Sequence, residues 1–332
     1  MPVYILKRSA LVLPVVLGVC VLVFILVHLI PGDPATVMLG QDASPQEVAR
    51  LRTAMGLDRP LPVQLGNYLV RLAHGDLGRS IFQNEAVSTL VRKHLPATFE
   101  LAVAAMLIAI LLAIPLGVVS AVRQYSVVDL VSMGFAQIGV SMPVFWLGVL
   151  LILNFSLRWN LLPSVGRGAP VLAGLGLLLS RGDPGPLVDG LQHLAMPALT
   201  LGLTTAALIT RMVRSSMLEV LHQDYVRTAR AKGTAERAVI YRHALRNALL
   251  PVVTIVGMQF GALLGGAVVT ETVFAWPGLG RLAITAIGQR DFPLVQGCVL
   301  AVALVFSLLN LAVDVSYALI DPRVRHSMTQ QG

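Results

Sequence analysis

The stretch DYVRTARAKGTAERAVIYRHALRNALLP, residues 224–251, has a basic and helical pattern, although the chain around it is strongly apolar. The 332 residues are 56% hydrophobic and 13% charged, with a formal net charge of +8. Soluble proteins carry about 25% charged residues, so this composition indicates an integral membrane protein. The two cysteines, Cys20 and Cys298, lie in separate apolar runs without metal-ligand spacing, which predicts small buried side chains.

Six stretches of the sequence are long and apolar enough to cross a hydrocarbon core of about 30 Å as helices. A seventh apolar run, 171–180, is too short to span and predicts an external or interfacial segment. We therefore expect an all-α polytopic membrane protein with six transmembrane helices. The predicted spans are approximately 10–30, 98–122, 130–157, 194–213, 249–270 and 294–320.

The distribution of Lys and Arg predicts the orientation of these spans. Basic residues are concentrated before the first span, between the fourth and fifth spans, and after the sixth, whereas the short loops on the other side carry fewer. By the positive-inside rule, both termini and the 224–251 stretch lie in the cytoplasm. The predicted organisation is 1–30, the N-terminus and first span; 31–97, an external helical cap; 98–320, the membrane core with its cytoplasmic loop 214–247; and 321–332, a cytoplasmic tail.

The external segment contains a well-marked helix in SPQEVARLRTAMGL, residues 44–57. Ser44 is a favourable N-cap before Pro45, Glu47 stands in the first turn, and Gly56 follows the last turn. These signals predict a small helical cap over the outer mouth of the protein. A solvated lid without a specific partner fits the same composition.

The basic stretch itself predicts two short helices joined at a glycine. Small or apolar residues recur with helical spacing on one face, at Leu218, Leu221, Tyr225 and Ala229. Gly233 can adopt a positive φ after the first helix, and Thr234 with Glu236 provides a polar start for the second. The second helix is expected to continue into the fifth span at Pro251.

Three interpretations of this element compete on physical grounds. A DNA-binding helix-turn-helix has the charge and the turn, but membrane spans on both sides would keep it out of a groove. A basic surface for anionic lipid satisfies the positive-inside rule. A docking helix for a cytoplasmic protein requires an apolar stripe, a fixed turn and charged flanks, and all three are present. The pattern favours docking.

The segment 211–254 resembles the coupling loop of importer-type ABC transporter permeases, in the branch that carries dipeptides, oligopeptides, nickel and glutathione. Within that branch, the external loop and the segment RGDPGPLVDGLQHLAMPALTLG (181–202) most resemble the dipeptide type, the first of two paralogous membrane subunits. The resemblance extends over nearly the whole chain. It also includes HLIPGDPA (28–35), GLDRPLPVQ (56–64), HGDLGRS (74–80), LPATFELA (95–102), SMPVFWLGVLLI (141–152), TETVFAWPGLGRL (270–282), RDFPLVQG (290–297) and LIDPRVRH (319–326).

This resemblance implies that the loop docks in a groove of an ATP-hydrolysing subunit. The general permease signature begins Glu-Ala-Ala, whereas this chain has Arg227-Thr228-Ala229 in that slot, as expected for the peptide branch. The resemblance further implies a second homologous permease, two ATP-binding subunits and an extracytoplasmic solute-binding protein. ATP and Mg would then reside on partner subunits, with no cofactor on this chain. The implied coupling residues are Asp224, Tyr225, Arg227, Ala229, Arg230, Ala231, Gly233, Arg242, His243 and Leu245.

Polar and small residues in the spans suggest a path and a packing face. Gly257, Gly261 and Gly265 recur every four residues, which allows another helix to approach closely. In span six, a polar stripe contains Ser307, Asn310, Asp314 and Tyr317, and pore lining and interhelical hydrogen bonding are both open for it. Glu271 either contributes to an outer gate or caps a loop. The candidate path residues are Gln137, Ser141, Gln259, Asn310 and Asp314.

Enzymatic alternatives have little support in the sequence. It contains no G-x-x-x-x-G-K-[ST], H-E-x-x-H or G-x-S-x-G pattern, so we expect neither nucleotide hydrolysis nor a hydrolase centre on this chain. An ion-coupled secondary transporter is the remaining rival class. We expect a permease subunit in the cytoplasmic membrane of a bacterium that imports dipeptides or short oligopeptides, with nickel and glutathione as alternative solutes within the family.

Overall fold

The computed structural model describes residues 2–29, 34–39 and 43–320, with backbone alone at some positions, including 2–10 and 313–320. The described chain is helical, with one isolated antiparallel bridge between Arg79 and Ala86. The all-α prediction is confirmed. The helices are α1 (Pro2–Leu29), α2 (Pro34–Leu39), α3 (Pro45–Met55), α4 (Leu61–Ala73), α5 (Val87–Val122), α6 (Val127–Ser141), α7 (Val144–Leu151), α8 (Val171–Arg181), α9 (Gly185–Leu221), α10 (Asp224–Ala231), α11 (Glu236–Ala238), α12 (Leu245–Gly266), α13 (Val268–Val273), α14 (Leu279–Gln289) and α15 (Phe292–Ile320).

Several of these helices match the predicted spans in length and apolar character. Within the described residues, four single helices are long and apolar enough to cross a membrane, and a bent helix pair makes a fifth candidate. The apolar part of α1, Leu13–Leu29, is shorter. The count of six spans therefore stays a prediction. The four helices are Val87–Val122, Gly185–Leu221, Glu236–Gly266 and Phe292–Ala312.

The predicted third span is divided at residue 142 into α6 and a second helix, Val144–Arg158, which consists of α7 and a π-helical continuation, Ile152–Arg158. The two halves meet at an angle of 104°. Met142 at the break is extended, with φ −78° and ψ 129°, and Pro143 follows it. Proline disfavours the helical conformation of the residue before it and has no N–H for a helical hydrogen bond. The bend therefore follows from SMP at 141–143, within an apolar run that predicted one continuous helix.

The chain divides into two compact units, 1–96 with 278–332, and 97–277, and the division falls within α5. The first unit has two apolar clusters. In one, the start of α5 packs with α14 and α15 through residues such as Leu90, Leu279 and Leu294. In the other, Cys20 and Phe24 of α1 pack with α4 and α15. Both cysteines are buried, as the sequence predicts.

The helix predicted at 44–57, α3, has the predicted boundaries. Ser44 Oγ accepts from the N–H of Glu47 at 3.3 Å, and Glu47 Oε2 accepts from the N–H of Ser44 at 2.9 Å, which makes a capping box. The Ser44 hydroxyl also donates to Glu47 Oε2 at 2.7 Å, and this bond together with the one from the Ser44 N–H holds the pKa of the Glu47 carboxyl below its usual value. Gly56 ends the helix with φ 69°.

The second unit is built around α9, which packs with α6, α7, α8 and α12. Small residues allow these helices to approach closely. A Cβ added at Gly202 of α9 would lie 2.8 Å from Ile108 Cγ2, and one at Gly139 of α6 would lie 2.9 Å from Ala207 Cβ. The short apolar helix α8 packs along the start of α9. Close backbone packing of this kind is characteristic of membrane helices, whose contacts are enriched in small residues.

Candidate coupling loop and membrane site

The basic loop has the predicted helix-turn-helix form. Gly233 follows α10 with φ 75°, its N–H donates to Arg230 O at 2.9 Å, and the N–H of Thr234 donates to Ala229 O at 3.2 Å. These bonds close the C-terminus of α10 around a left-handed glycine. The second helix begins at Glu236 with Ala235 at the cap position and no side-chain cap, so the cap expected from Thr234 is absent. It continues through a π-helical turn, Val239–Ala244, into α12.

The helix α10 has one buried anchor that the sequence pattern did not identify. Val226 is fully buried, whereas Tyr225 is 43% exposed and Ala229 is half-buried. The predicted stripe of Tyr225 and Ala229 is therefore turned largely outward, and Val226 fixes the helix to the rest of the unit. Val226 is the only large aliphatic residue of DYVRTARA, and this feature of the sequence could have identified it as the buried anchor.

Polar contacts hold α10 against the helix that follows it. Arg230 forms a two-point pair with Glu236, at 2.8 Å from Nη2 to Oε1 and 3.2 Å from Nε to Oε2. The Nδ2 of Asn247 donates to the Tyr225 hydroxyl at 2.8 Å. Two-point guanidinium pairs fix orientation as well as distance. Contacts within the chain thus define the shape of the loop.

Most of the predicted coupling residues lie on the surface. Their exposure gives the loop an accessible basic surface, and its role in docking stays a prediction. Asp224, Tyr225, Arg227, Arg230, Ala231, Gly233 and Arg242 are exposed, and Ala229, His243 and Leu245 are half-buried.

A buried carboxylate joins three helices at the same end of the unit as α10, and the sequence analysis missed it. Asp129 at the start of α6 is 5% exposed. It accepts hydrogen bonds from Arg214 of α9, at 2.7 Å from Nε and 2.8 Å from Nη2, and from Ser120 Oγ of α5 at 2.5 Å. The N–H of Tyr125 adds a fourth bond at 3.0 Å. Asp129 and Arg214 are charged residues at the ends of apolar runs, which could have marked them as candidates. Their pairing could not be predicted, because they are far apart in the sequence.

The last two turns of α9 connect this cluster directly to the coupling loop. Arg214 lies ten positions before Asp224, the first residue of α10. From Arg214 to Leu221 the helix rises about 10 Å, at about 1.5 Å per residue, and only His222 and Gln223 separate its end from α10. We call Ser120, Asp129 and Arg214 the inner cluster.

At the other end of the second unit, Glu271 of α13 is fully buried. Thr98 Oγ1 donates to its Oε1 at 2.6 Å. The N–H of Trp276 donates to the main-chain oxygen of Glu271 at 2.8 Å, and its indole Nε1 donates to Ala97 O at 2.8 Å. Ala275 has a φ of 49° and makes a turn between Phe274 and Trp276, both of which are buried. Glu271 is thus a member of a buried hydrogen-bonded group, and its role as an outer gate stays a prediction.

A second carboxylate at this end, Glu100, was also missed. It pairs with Arg167 and accepts from the N–H of Val171 at 2.6 Å. The guanidinium of Arg167 lies 5.6 Å from the centre of the Trp276 ring. These contacts fix the loop before α8 to the start of the transmembrane part of α5.

The predicted path residues are placed in different surroundings. Gln137 and Ser141 are exposed on α6, with 3.4 Å between Gln137 Nε2 and Ser141 Oγ. Gln259 of α12 and Asn310 of α15 are half-buried. The side chain of Asp314 lies outside the described residues, as does the tail 321–332. Whether these residues line the path stays a prediction.

The predicted glycine face of α12 is partly covered within the chain. Gly257 and Gly261 are buried, and Gly265 is exposed. The helix packs against α9 in this unit. The exposed end of the face is available to a partner helix.

Comparison with known proteins agrees with this architecture. The chain is 44% identical to the dipeptide transport system permease protein of Alkalihalophilus pseudofirmus, covering 97% of this chain and 99% of that protein. It is 46% identical to the dipeptide transport system permease protein of Escherichia coli, covering 97% and 98%. A solved structure of the MetNI methionine ABC transporter in an inward-facing conformation matches 70% of this chain and 96% of that chain, with a TM-score of 0.54 and 20% identity. This structural match supports the fold.

Two family models cover most of the sequence. The model described as "Binding-protein-dependent transport system inner membrane component" matches residues 113–326. A second model, for the N-terminal part of the same membrane component, matches residues 1–102. The family predicted from the sequence is confirmed: the chain belongs to the binding-protein-dependent transport system inner membrane components, the multi-pass permease subunits of ABC importers.

Proposed function

We propose that this chain is one permease subunit of an ATP-driven importer for dipeptides or short oligopeptides. The observation that carries the proposal is the rigid, outward-facing basic loop, in which α10 is anchored by Val226 and presents Tyr225 and Arg227 to the surroundings. The names of the two relatives, both dipeptide permeases, support the solute class. Nickel complexes and glutathione are the alternative solutes within the same family.

In this proposal the chain crosses the inner membrane six times, with both termini in the cytoplasm. The apolar helices of the described chain and the concentration of Lys and Arg around α10 support this topology. The bent pair α6 and α7 serves as the third span. The segment 31–97 and the loop 271–293 face the extracytoplasmic side, where a solute-binding protein delivers the solute.

The chain provides half of a translocation pathway. A second, homologous permease completes it about a pseudo-two-fold axis. The exposed end of the glycine face near Gly265 supports a contact of this kind. Two ATP-binding subunits dock under the coupling loops of the two permeases. ATP and Mg bind to those subunits, and this chain contributes no catalytic residue.

The inner cluster gives the coupling loop a mechanical connection to the membrane helices. Because Arg214 is bonded to Asp129, movement of α10 and the end of α9 is transmitted to the start of α6 and the end of α5. The pathway is in equilibrium between an inward-open and an outward-open state. ATP and the loaded binding protein shift this equilibrium only to the extent that they bind the two states with different affinities. The loop and the inner cluster couple those preferences to the membrane helices.

Reconstitution tests this proposal directly. The chain is purified from its native membrane in mild detergent, and the bound proteins are identified by mass spectrometry. The assembled complex is then placed in proteoliposomes with its solute-binding protein, and ATP hydrolysis is measured with dipeptides, glutathione and nickel complexes. We expect a second permease and ATP-binding subunits in the complex, and stimulation by dipeptides. Recovery of a homo-oligomer that takes up solute by an ion gradient without ATP would replace this proposal with a secondary transporter.

A further inference from the structure

The first unit contains an open cavity of about 890 Å³, lined mainly by residues of the segment 31–97. It lies among the last turns of α1, the last turn of α3 with the loop after it, the length of α4 and the start of α15. Its volume falls in the usual range for small-ligand sites, about 300–1,000 Å³. The cavity is therefore large enough for a headgroup-sized molecule.

One wall of the cavity is apolar and fixed. Phe24 and Phe292, which line it, are 6% and 5% exposed. The ring of Phe24 packs against that of Tyr68 with 5.8 Å between centroids. Burial raises the pKa of Tyr68, so the wall stays uncharged. A ligand that fits this wall has an apolar part.

The rim of the cavity is basic. Arg52, Arg59 and Arg71 line it, and no Asp or Glu occurs among the lining residues that the structure describes. Arg59 and Arg71 are exposed, and neither forms an ion pair with another described residue. Planar guanidinium groups bind phosphate and carboxylate well because they donate two parallel hydrogen bonds. A ligand that fits this rim therefore has an anionic part.

The frame of the cavity is held by a hydrogen-bonded pair. Gln64 Nε2 donates to Leu57 O at 3.1 Å and to Arg59 O at 2.8 Å, which fixes the orientation of its amide. Its Oε1 lies 3.2 Å from His28 Nε2, and His28 Nδ1 lies 2.7 Å from Phe24 O. Both ring nitrogens thus lie within hydrogen-bond distance of an oxygen atom, which fixes the orientation of the ring beside the cavity.

The position of the cavity along the apolar helices indicates the source of the ligand. Phe24, Val27 and His28 lie at the end of the apolar segment Leu13–Leu29. Phe292 is the first residue of the membrane-capable segment Phe292–Ala312. Both elements reach the cavity where an apolar helix ends, which is the depth of lipid headgroups.

We propose that this cavity binds the headgroup of an anionic phospholipid. The phosphodiester contacts the guanidinium groups of Arg59 and Arg71, and the glycerol and first acyl carbons pack against Phe24 and Phe292. Basic pockets beside membrane helices recognise anionic lipids through this combination of charge and apolar contact. The site anchors the external segment to the end of α1. The proposal goes beyond transport and does not depend on which solute is carried.

The test uses the full-length chain in its purified complex, with the double variant R59Q/R71Q and the matched control R50Q. Arg50 is exposed on α3 and does not line the cavity. Complexes are extracted from vesicles of equal phosphatidylglycerol and phosphatidylcholine, and retained lipid is counted by native mass spectrometry. We expect the wild type and R50Q to retain phosphatidylglycerol over phosphatidylcholine by about tenfold. The double variant should lose this preference while the complex stays assembled.

Competition separates a lipid from a free anion. Dihexanoyl phosphatidylglycerol should displace the retained lipid, whereas inorganic phosphate and glycerol 3-phosphate at the same concentration should not. Equal displacement by inorganic phosphate would overturn the lipid assignment in favour of a soluble anion. Unchanged lipid retention in R59Q/R71Q, with weakened capture of the solute-binding protein, would overturn it in favour of a protein contact. Both results concern the cavity variants, whereas the proposed function is tested on the wild-type complex, so the two proposals fail separately.

Discussion

At the scale of single residues, the inner cluster shows how a buried charge is made compatible with an apolar protein. The two carboxylate oxygens of Asp129 together accept from a guanidinium, a hydroxyl and a main-chain N–H. Burying a carboxylate without such partners costs several kcal/mol. The cluster therefore has one favourable arrangement, and that arrangement ties α9 to α5 and α6.

Replacing Arg214 with Met leaves the Asp129 carboxylate buried without its principal partner. We expect a loss of about 3 kcal/mol in the free energy of unfolding, measured by chemical unfolding of the purified protein in detergent. Stimulation of ATP hydrolysis by solute should fall as well, because α10 loses its connection to α6. The double variant R214M/D129N should regain part of the stability.

The matched control for this prediction is Arg211→Met. Arg211 lies on the same helix, one turn earlier, and its side chain is exposed. Its removal should change the free energy of unfolding by no more than about 0.5 kcal/mol. Equal losses for R211M and R214M would show that the inner cluster contributes nothing specific.

At the scale of elements, the turn after α10 decides where the docking helix ends. Gly233 has φ 75°, and nothing lies within 4 Å of the position that a Cβ would occupy. A side chain there is strained by its backbone conformation and not by a neighbour. Glycine is therefore required at position 233 because of the positive φ, and not because a side chain would lack room.

Gly233→Val should uncouple the transporter. The positive φ costs a β-branched residue roughly 1–2 kcal/mol, which is enough to displace the end of α10. We expect an assembled complex whose basal ATP hydrolysis persists and whose solute stimulation is lost. Gly233→Asn should retain most of the coupling, since asparagine tolerates this conformation.

The control for the turn is Gly288→Ala in α14, which has open space around it and a normal φ. This change should leave coupling intact and stabilise the helix slightly, by up to about 1 kcal/mol. If Gly233→Val couples as well as Gly288→Ala does, the shape of the turn plays no part in docking.

At the scale of the whole molecule, the proposed topology places α10 on the opposite side of the membrane from α3 and α8. Single cysteines at positions 50, 181 and 232, introduced after Cys20 and Cys298 are changed to Ala, test this. A membrane-impermeant maleimide is applied to cells whose outer membrane has been permeabilised and whose inner membrane is intact. It should label cysteines at positions 50 and 181. It should label position 232 only after the inner membrane is opened. Labelling of position 232 in sealed cells would reverse the topology.

Much of the architecture was readable from local sequence patterns. The capping box at Ser44 and Glu47, the glycine that ends α10 and the all-helical apolar class depend on residues within a few positions of one another. Proline at position 143 carried a local signal too, since it disfavours a helical residue before it. The hydropathy pattern concealed this bend because the apolar run continues across it.

The sequence by itself determined the class of the protein, the positions of most helices and the coupling loop, because composition, periodicity and turn residues act over short distances. Only the tertiary structure decided which charges meet: Asp129 and Arg214 are 85 positions apart, and Thr98 and Glu271 are 173 apart. Such pairs form where helix packing brings side chains together out of water, which no local pattern specifies. The same holds for the burial of Val226 and for the basic cavity, whose walls combine α1, α3 and α4 with α15, which is distant from them in sequence.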